Sequence, residues 1–451
     1  MRTWKRRKRL TALLLLLTLA LLASACGSSG AGGASEAGPA ESGKSAGSGE
    51  RVKLVVWIWD SAKIGLDANM DEFKKQYPNI DVEFQLMKST DLYQKFLIAS
   101  NTSDAVPDIV ALESTNLSQM VQIDSLLDIT SKVQPYKDKM NAYKWEDATK
   151  DGKIYAMPWD SGPVVMFYRN DYFAKAGLPT DPAEVAKKIQ TWEDYYQAAK
   201  QIKEKTGAFM YGDSKTNSSN RMFESMMWQR GLWYFDKQGN VTVDKPEVKE
   251  IVDYLVKMQK EGLVYDARAN TDPWANAIGD GKIATIVGGS WHDALIEHQY
   301  APNDKGKWSV TLMPKWSKDD PYAGANQGGS NLAINKNSKH PEEAWKFIEF
   351  MLGKETSQIN MMTKAGLFPS LNTVYSDPVM NEPSPYFNNQ PIRQVYAESL
   401  KKTYPLAYQS DFPLANKLMT DVWAKIFLNN TPSDQALKAM ADELRQKTKR
   451  K

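Results

Sequence analysis

Indole rings recur beside carboxylates, amides or basic groups wherever an apolar run of the chain gives way to a polar one. Trp59-Asp60 closes the run KLVVWIW, Glu113 follows DIVAL, Trp159-Asp160 lies between two apolar runs, and Trp291-His292 follows KIATIVGGS. Asn217 and Arg221 open a Met/Trp-rich segment, Trp274 sits in a short apolar stretch, and Asn326, Gly329 and Ser330 belong to the stretch NQGGS. Rings beside acids and amides suit a neutral polyhydroxyl compound. Its C–H face stacks on an indole, while its hydroxyls donate to carboxylates and accept from amides or Arg. One stacked face contributes on the order of 1–2 kcal/mol, and a hydrogen bond to a charged partner roughly 1.5–3 kcal/mol. Two of each, less ordering costs, reach the ~8 kcal/mol of a micromolar complex. Taken singly, each Trp reads equally well as core packing and each acid as a solvated cap; their recurrence is the signal.

Other chemistries find little support. There is no Gly-rich loop ending in Lys-Ser/Thr, no GxGxxG after a strand, no HExxH and no GxSxG. His292, His298 and His340 are scattered, and the first two, six apart, do not share a helical face. No metal and no cofactor is expected. A carboxylate pair acting on a glycosidic bond is set by spatial separation, so a glycan-degrading enzyme stays open as an alternative, as does a surface glycan adhesin. The favoured reading is a binder and not an enzyme. Formal charge is +3 over 451 residues, but six of the 57 basic residues and none of the 54 acids lie before Cys26. The remainder therefore carries 51 against 54, about −3, and no track for nucleic acid.

The elements that must position these residues begin after a leader. Arg2, Lys5, Arg6, Arg7, Lys8 and Arg9 precede the apolar run Leu10–Ala25, too short to span a bilayer and typical of a secretory signal. Leu22-Ala23-Ser24-Ala25-Cys26 resembles a lipobox, with Ala23 at the usual leucine position, so residues 1–25 are read as the signal and Cys26 as the lipidated first residue. Residues 26–50 form a Gly/Ser/Ala tether with a reach of roughly 25 Å. An extracytoplasmic chain anchored to the outer face of the cell membrane follows.

From Lys53 onward, short apolar runs alternate with helical periodicities. Strands are expected at Lys53–Trp59, Ile80–Leu86, Asp108–Leu112, Lys153–Met157, Pro163–Tyr168, Lys282–Val287 and Asn331–Asn335. Leu66, Met70, Phe73 and Tyr77 predict one helix up to Pro78; Thr191-Trp192-Glu193-Asp194 predicts a capped helix through Lys205. Further helices are expected over Asp272–Ile278, Pro341–Leu352, Asp411–Asn429 and Ser433–Lys447. The pattern predicts an α/β architecture of mostly parallel sheets flanked by helices, whose ligand edge is the carboxyl end of the strands. Pro158-Trp159-Asp160-Ser161-Gly162, bounded by Pro and Gly, reads as a passage from one lobe to another, with Trp159 and Asp160 facing the gap.

The ordered landmarks KLVVWIW, FKKQYPNIDVEF, VPDIVALES, GKIYAMPWDSGPVVMFYRNDYFAKAGLP, TWEDYYQAAKQI, GKIATIVGGSW and NQGGSNLAINKNSKHPEEAWKFIEFML resemble the extracellular solute-binding proteins of bacterial ABC sugar importers. The likeness is to the branch that includes maltose-binding protein, in its lipoprotein form, and covers about Val52–Lys447. It implies two lobes, 51–162 with 330–376 and 163–329 with 377–451, joined by three hinge crossings near Trp159–Pro163, Gly328–Leu332 and Tyr375–Pro378. It also implies hinged closure on a sugar, an oligosaccharide first of all, and delivery by a monomer to membrane permease subunits. Ligand contacts are implied at Trp59, Asp60, Glu113, Trp159, Asp160, Trp291 and Asn326 to Ser330, with His292 and Trp274 nearby.

Overall fold

A computed structural model describes residues 50–100 and 106–451. The signal segment, Cys26 and all of the expected tether except Glu50 lie outside the described residues. Among those described, no helix is long and apolar enough to cross a membrane.

Among the described residues there are twelve strands, of which ten, numbered here in chain order, position the site. β1 (Val52–Ile58), β2 (Ile80–Leu86), β3 (Ile109–Glu113), β4 (Met157–Pro158) and β10 (Ser330–Ile334) form one sheet in the order β2-β1-β3-β10-β4. β1 pairs parallel with β2 (Val52 opposite Ile80) and with β3 (Val56 opposite Ile109). β10 runs against both β3 and β4, so that Ser330 lies opposite Glu113 and Asn331 opposite Pro158. The other four strands share one direction, and the residues after β1, β3 and β4 reach the edge at which β10 begins.

β5 (Val164–Arg169), β8 (Thr285–Gly289) and β9 (Trp308–Thr311) form a second sheet in the order β8-β5-β9. The expectation of mostly parallel pairing is corrected here: β5 lies between the other two and runs against both. Parallel pairing occurs beside it, in β6 (Tyr211–Gly212) with β7 (Val264–Tyr265) and in single bridges such as Phe209–Ile283, which joins this pair to the run into β8. The physical reason is that β5 enters from the first sheet as β10 leaves for it. Each sheet thus carries one strand opposed to its neighbours.

Each sheet is buried by helices whose apolar faces the sequence periodicity specifies. Leu54, Val56, Val110, Leu112, Phe73, Phe96, Phe347 and Met351 belong to one core; Met166, Tyr168, Tyr195, Ile251, Leu255, Trp228 and Met419 belong to another, around the second sheet. The helix Trp192–Thr206 starts at a full capping box: Thr191 accepts from the Asp194 amide and the Asp194 carboxylate accepts from the Thr191 amide. It ends at Gly207 in the left-handed conformation. The one helix expected over Leu66–Tyr77 is two, Asp60–Asp67 and Met70–Gln76. The break falls at Asn69, whose buried side chain donates to the Ser357 carbonyl at 3.1 Å. Lys153–Met157 likewise splits into the short strands Lys153–Ile154 and Met157–Pro158.

Candidate functional site

The two sheets meet at three backbone segments. Residues 158–164 link β4 to β5, and residues 325–330 return alongside, with Val164 donating to the Ala325 carbonyl (2.9 Å) and Gln327 to that of Gly162 (2.8 Å). The third segment is Phe368–Ser370: Ser161 donates to the Phe368 carbonyl, Ser370 to that of Trp159, and Asp160 bridges Pro369. The expected third passage, Tyr375–Pro378, lies between Val374, in the first core, and Val379, packed with the cluster around Val165 and Phe167 of β5. The segment Asn372–Ser376 is a 3-10 turn, so the extended backbone needed for pairing lies just before it. Such close approach excludes side chains. A Cβ on Gly162 would lie 2.0 Å from the Gln327 carbonyl oxygen, and one on Gly329, at φ +83°, 2.5 Å from that of Asp160.

Around these segments the carboxyl ends of β3, β4 and β8 and the start of the helix Arg221–Gln229 contribute polar groups. From the first sheet comes Glu113, the last residue of β3, near Arg221, Asp160 and the Tyr93 hydroxyl. Burial raises the Glu113 carboxyl above the ordinary glutamate range, opposed by Arg221 and Tyr93. Asp160 is buried; its Oδ1 accepts from the Ser330 amide at 2.8 Å. Burial raises its carboxyl too, against the pull of Lys144, a fully buried lysine whose Nζ donates to Ser114 Oγ at 2.6 Å. Asn326 is buried as a brace, its Oδ1 accepting from the Gly162 amide (2.8 Å) and the Tyr143 hydroxyl (2.9 Å).

From the side of the second sheet comes Arg221, the first residue of the helix Arg221–Gln229. Its guanidinium lies 5.6 Å from the Trp291 ring centre, and its Nη1 donates to Gln327 Oε1 at 3.4 Å. Gln327 in turn donates to the Arg221 carbonyl (3.1 Å) and Ser225 Oγ (2.8 Å). Trp291, half-buried after β8, stacks on His292 at 5.5 Å and 30°. His292 is 2% exposed; Nδ1 donates to the Gly289 carbonyl and Nε2 lies 3.1 Å from the side-chain amide of Asn270. Burial holds its pKa down at about 4, and Arg221 pushes the same way. Arg221, His292, Trp274, Asn270, Asp213 and Gln327 line a pocket whose cavity volume is about 30 Å³. Behind it, Glu224 accepts from Tyr234 and Asn416, and burial moves its pKa up to about 7.

Arg221, Trp274, Trp291 and His292 therefore converge, with Glu113 on the other sheet close enough for the Arg221 charge to act on its carboxyl. Gly329 and Ser330 lie in the passage itself. One expectation is corrected, and the structure places the other residues as follows. Trp159 does not face a gap: it is 1% exposed in the first core, its indole N–H directed at Met361 Sδ, because the ring fits between the helices Asp60–Asp67 and Glu355–Ala365. Asn217 is exposed and held by Arg268, which donates to its side-chain and main-chain oxygens. Trp274 lines the pocket, but its N–H is already given to the Gly212 carbonyl. Trp59 is half-buried against the first core, and Asp60 is exposed at the first turn of its helix.

Sequence reasoning passed over Asp213, Asn270, Tyr93 and Lys144. Asp213 had a usable signal, since it comes directly after a short strand, as Glu113 ends one. Lys144 had none, because nothing local marks a buried lysine. Among the described residues no group of three or more His, Cys, Asp or Glu side chains is arranged to hold a metal ion. The arrangement offers an indole face, a guanidinium and a desolvated carboxylate to one neutral, hydroxyl-rich guest.

The profile of the bacterial extracellular solute-binding proteins matches residues 68–387. A lactose-binding protein of Rhizobium radiobacter is 25% identical over 87% of this chain and 92% of its own length. An arabinooligosaccharide-binding protein of Bacillus subtilis is 26% identical over 90% and 94%. Among solved structures, an extracellular solute-binding protein of family 1 superposes with a TM-score of 0.74 at 27% identity, covering 87% of this chain and 99% of that one. The ABC transporter associated binding protein of B. animalis subsp. lactis, in complex with β-1,6-galactobiose, gives 0.73 at 27%, covering 89% and 98%.

Proposed function

The chain belongs to the family of bacterial extracellular solute-binding proteins, and from that membership we propose that it captures an oligosaccharide for an ABC importer by closing its two halves upon it. It is the transporter's sugar-binding component and performs no chemistry on its ligand. The observation that carries the site is Arg221 beside Trp291 in one half with Glu113 opposite in the other. A sugar ring on the indole would exchange hydroxyl hydrogen bonds with the guanidinium and the carboxylate, each a charge-assisted contact made out of water. Lactose, arabino-oligosaccharides and galactobiose, the ligands of the relatives, set the class of compound to try first.

Closure follows from contacts drawn from both sheets. A ligand touching Glu113 and Arg221 together stabilises the closed arrangement alone and shifts the population toward it. The halves are 51–162 with 330–376 and 163–329 with 377–451, the hinge running through 158–164, 325–330 and 375–378, with 368–370 paired alongside the first of these. Cleavage before Cys26 and lipidation of that cysteine would hold the monomer at the outer face of the membrane, with the permease subunits as its second partner.

The test is a thermal-shift and calorimetric screen of lactose, maltose, arabinotriose and β-1,6-galactobiose. At least one should bind near micromolar Kd and return unaltered. Trp291→Ala should weaken it by about tenfold or more, the loss of a stacked face. No midpoint change with any of them at millimolar concentration, or release of cleaved product, would overturn the reading.

A further inference from the structure

Between the helices Ile392–Lys401 and Phe412–Asn429 the chain runs without regular structure past both halves of the molecule, and Tyr408 sits at its centre. Its main chain is held by helices of the first sheet. The Tyr408 amide donates to Asp147 Oδ1 at 2.8 Å, and its carbonyl accepts from Ser118 Oγ at 2.7 Å. Its ring belongs to the second core, edge-on to Trp228, Trp233 and Phe412 with centroids 5.5, 5.5 and 4.8 Å away. Its hydroxyl reaches a third place: Oη accepts from the Gly328 amide at 3.0 Å, inside the passage between the sheets.

Gly328 has φ +68° and follows Gln327, the residue that both accepts from the Arg221 guanidinium and donates to the Arg221 carbonyl. A residue of such backbone freedom does not hold its own conformation. Two outside contacts fix it, Asn326 Nδ2 donating to its carbonyl at 2.9 Å and the Tyr408 hydroxyl accepting from its amide, and with it the direction of the Gln327 side chain.

We propose that Tyr408 is the positioning residue of the ligand site: its hydroxyl fixes the Gly328 amide, which orients Gln327 and through it Arg221, and the Ser118–Asp147 clasp on its main chain makes that orientation conditional on the halves being together. Opening pulls the first-sheet helices from the Tyr408 backbone while its ring stays in the second core. The hydroxyl then loses its register with Gly328 and Arg221 its brace. Arg221 becomes ligand-ready only as the halves approach. The assignment rests on reading Arg221 and Gln327 as ligand contacts.

Hydrogen exchange read by mass spectrometry on the ligand-free full chain tests this without a sugar. Tyr408→Phe keeps the ring in its aromatic box and removes only the acceptor. Exchange across 326–330 should accelerate about tenfold, the loss of one hydrogen bond, while β1 accelerates less and the unfolding midpoint falls by no more than that one bond accounts for. Ser118→Ala, which touches neither ring nor hydroxyl, should accelerate the same segment. Exchange at 326–330 that matches wild type in Tyr408→Phe overturns the proposal, and so does acceleration spread evenly along the chain. In a second arm, lactose, maltose and β-1,6-galactobiose are titrated calorimetrically, and whichever binds wild type should bind Tyr408→Phe about tenfold more weakly. An unchanged Kd refutes the positioning role. If none of the three binds wild type while the exchange results hold, the sugar reading fails and the placement of Tyr408 stands.

Discussion

At the scale of single residues, burial decides which ionisable groups can meet a ligand in which charge state. His292 is enclosed by Trp274, Trp291, Phe167 and Asn270, and its pKa of about 4 keeps it neutral throughout the physiological range. A depressed histidine contributes stability that is present above its unfolded value near 6.5 and lost as pH falls toward 4. Its imidazole NMR resonances should therefore stay in their neutral positions from pH 7 to pH 5; a midpoint near 6.5 would contradict this burial. Glu224 titrates with the opposite sign. Its pKa of about 7 lies above the unfolded value near 4.5, so its protonated form stabilises the fold at low pH and that contribution is lost as pH rises through 7. Glu224→Gln keeps an oxygen to accept from Tyr234 and Asn416 and removes the buried charge. It should raise stability at pH 8, by up to about 3 kcal/mol, and leave it unchanged near pH 4. Denaturant melts at the two pH values measure the difference.

Elements carry these residues to one place, and much of their identity was legible locally. KLVVWIW and DIVAL are apolar runs that pair in parallel, and Thr191 and Asp194 announce a capping box that forms in full. Thr191→Ala should cost about 1 kcal/mol in a denaturant titration and leave sugar affinity untouched, since that helix start lies away from the pocket-lining residues. Less legible were the elements whose start is set by a tertiary contact. Asn69 divides one periodic stretch in two because its amide is needed by Ser357, and nothing in the local spacing reports that. Trp159 shows the same limit: an indole between Pro158 and Asp160 suits a cleft wall or a core equally, and the helices Asp60–Asp67 and Glu355–Ala365 chose the core.

For the whole molecule, the proposed mechanism requires that a ligand alter shape. Small-angle scattering should show a smaller radius of gyration on adding the cognate sugar, and at a hundredfold excess over Kd the fold should gain about 2.7 kcal/mol. An unchanged radius with full occupancy would leave a binder that does not close.

The linear chain by itself determined the alternation of strand and helix, the family likeness and the edge at which polar groups collect, because apolar periodicity and the turn after a strand are local properties. Which of those groups meet was decided only in three dimensions. Arg221 finds Glu113, Gln327 and Trp291 across gaps of 108, 106 and 70 residues in sequence, and the glycines of the passage admit backbone where a side chain would collide. Pairing at such separations depends on how two sheets are set against each other, a quantity that no short stretch of sequence encodes.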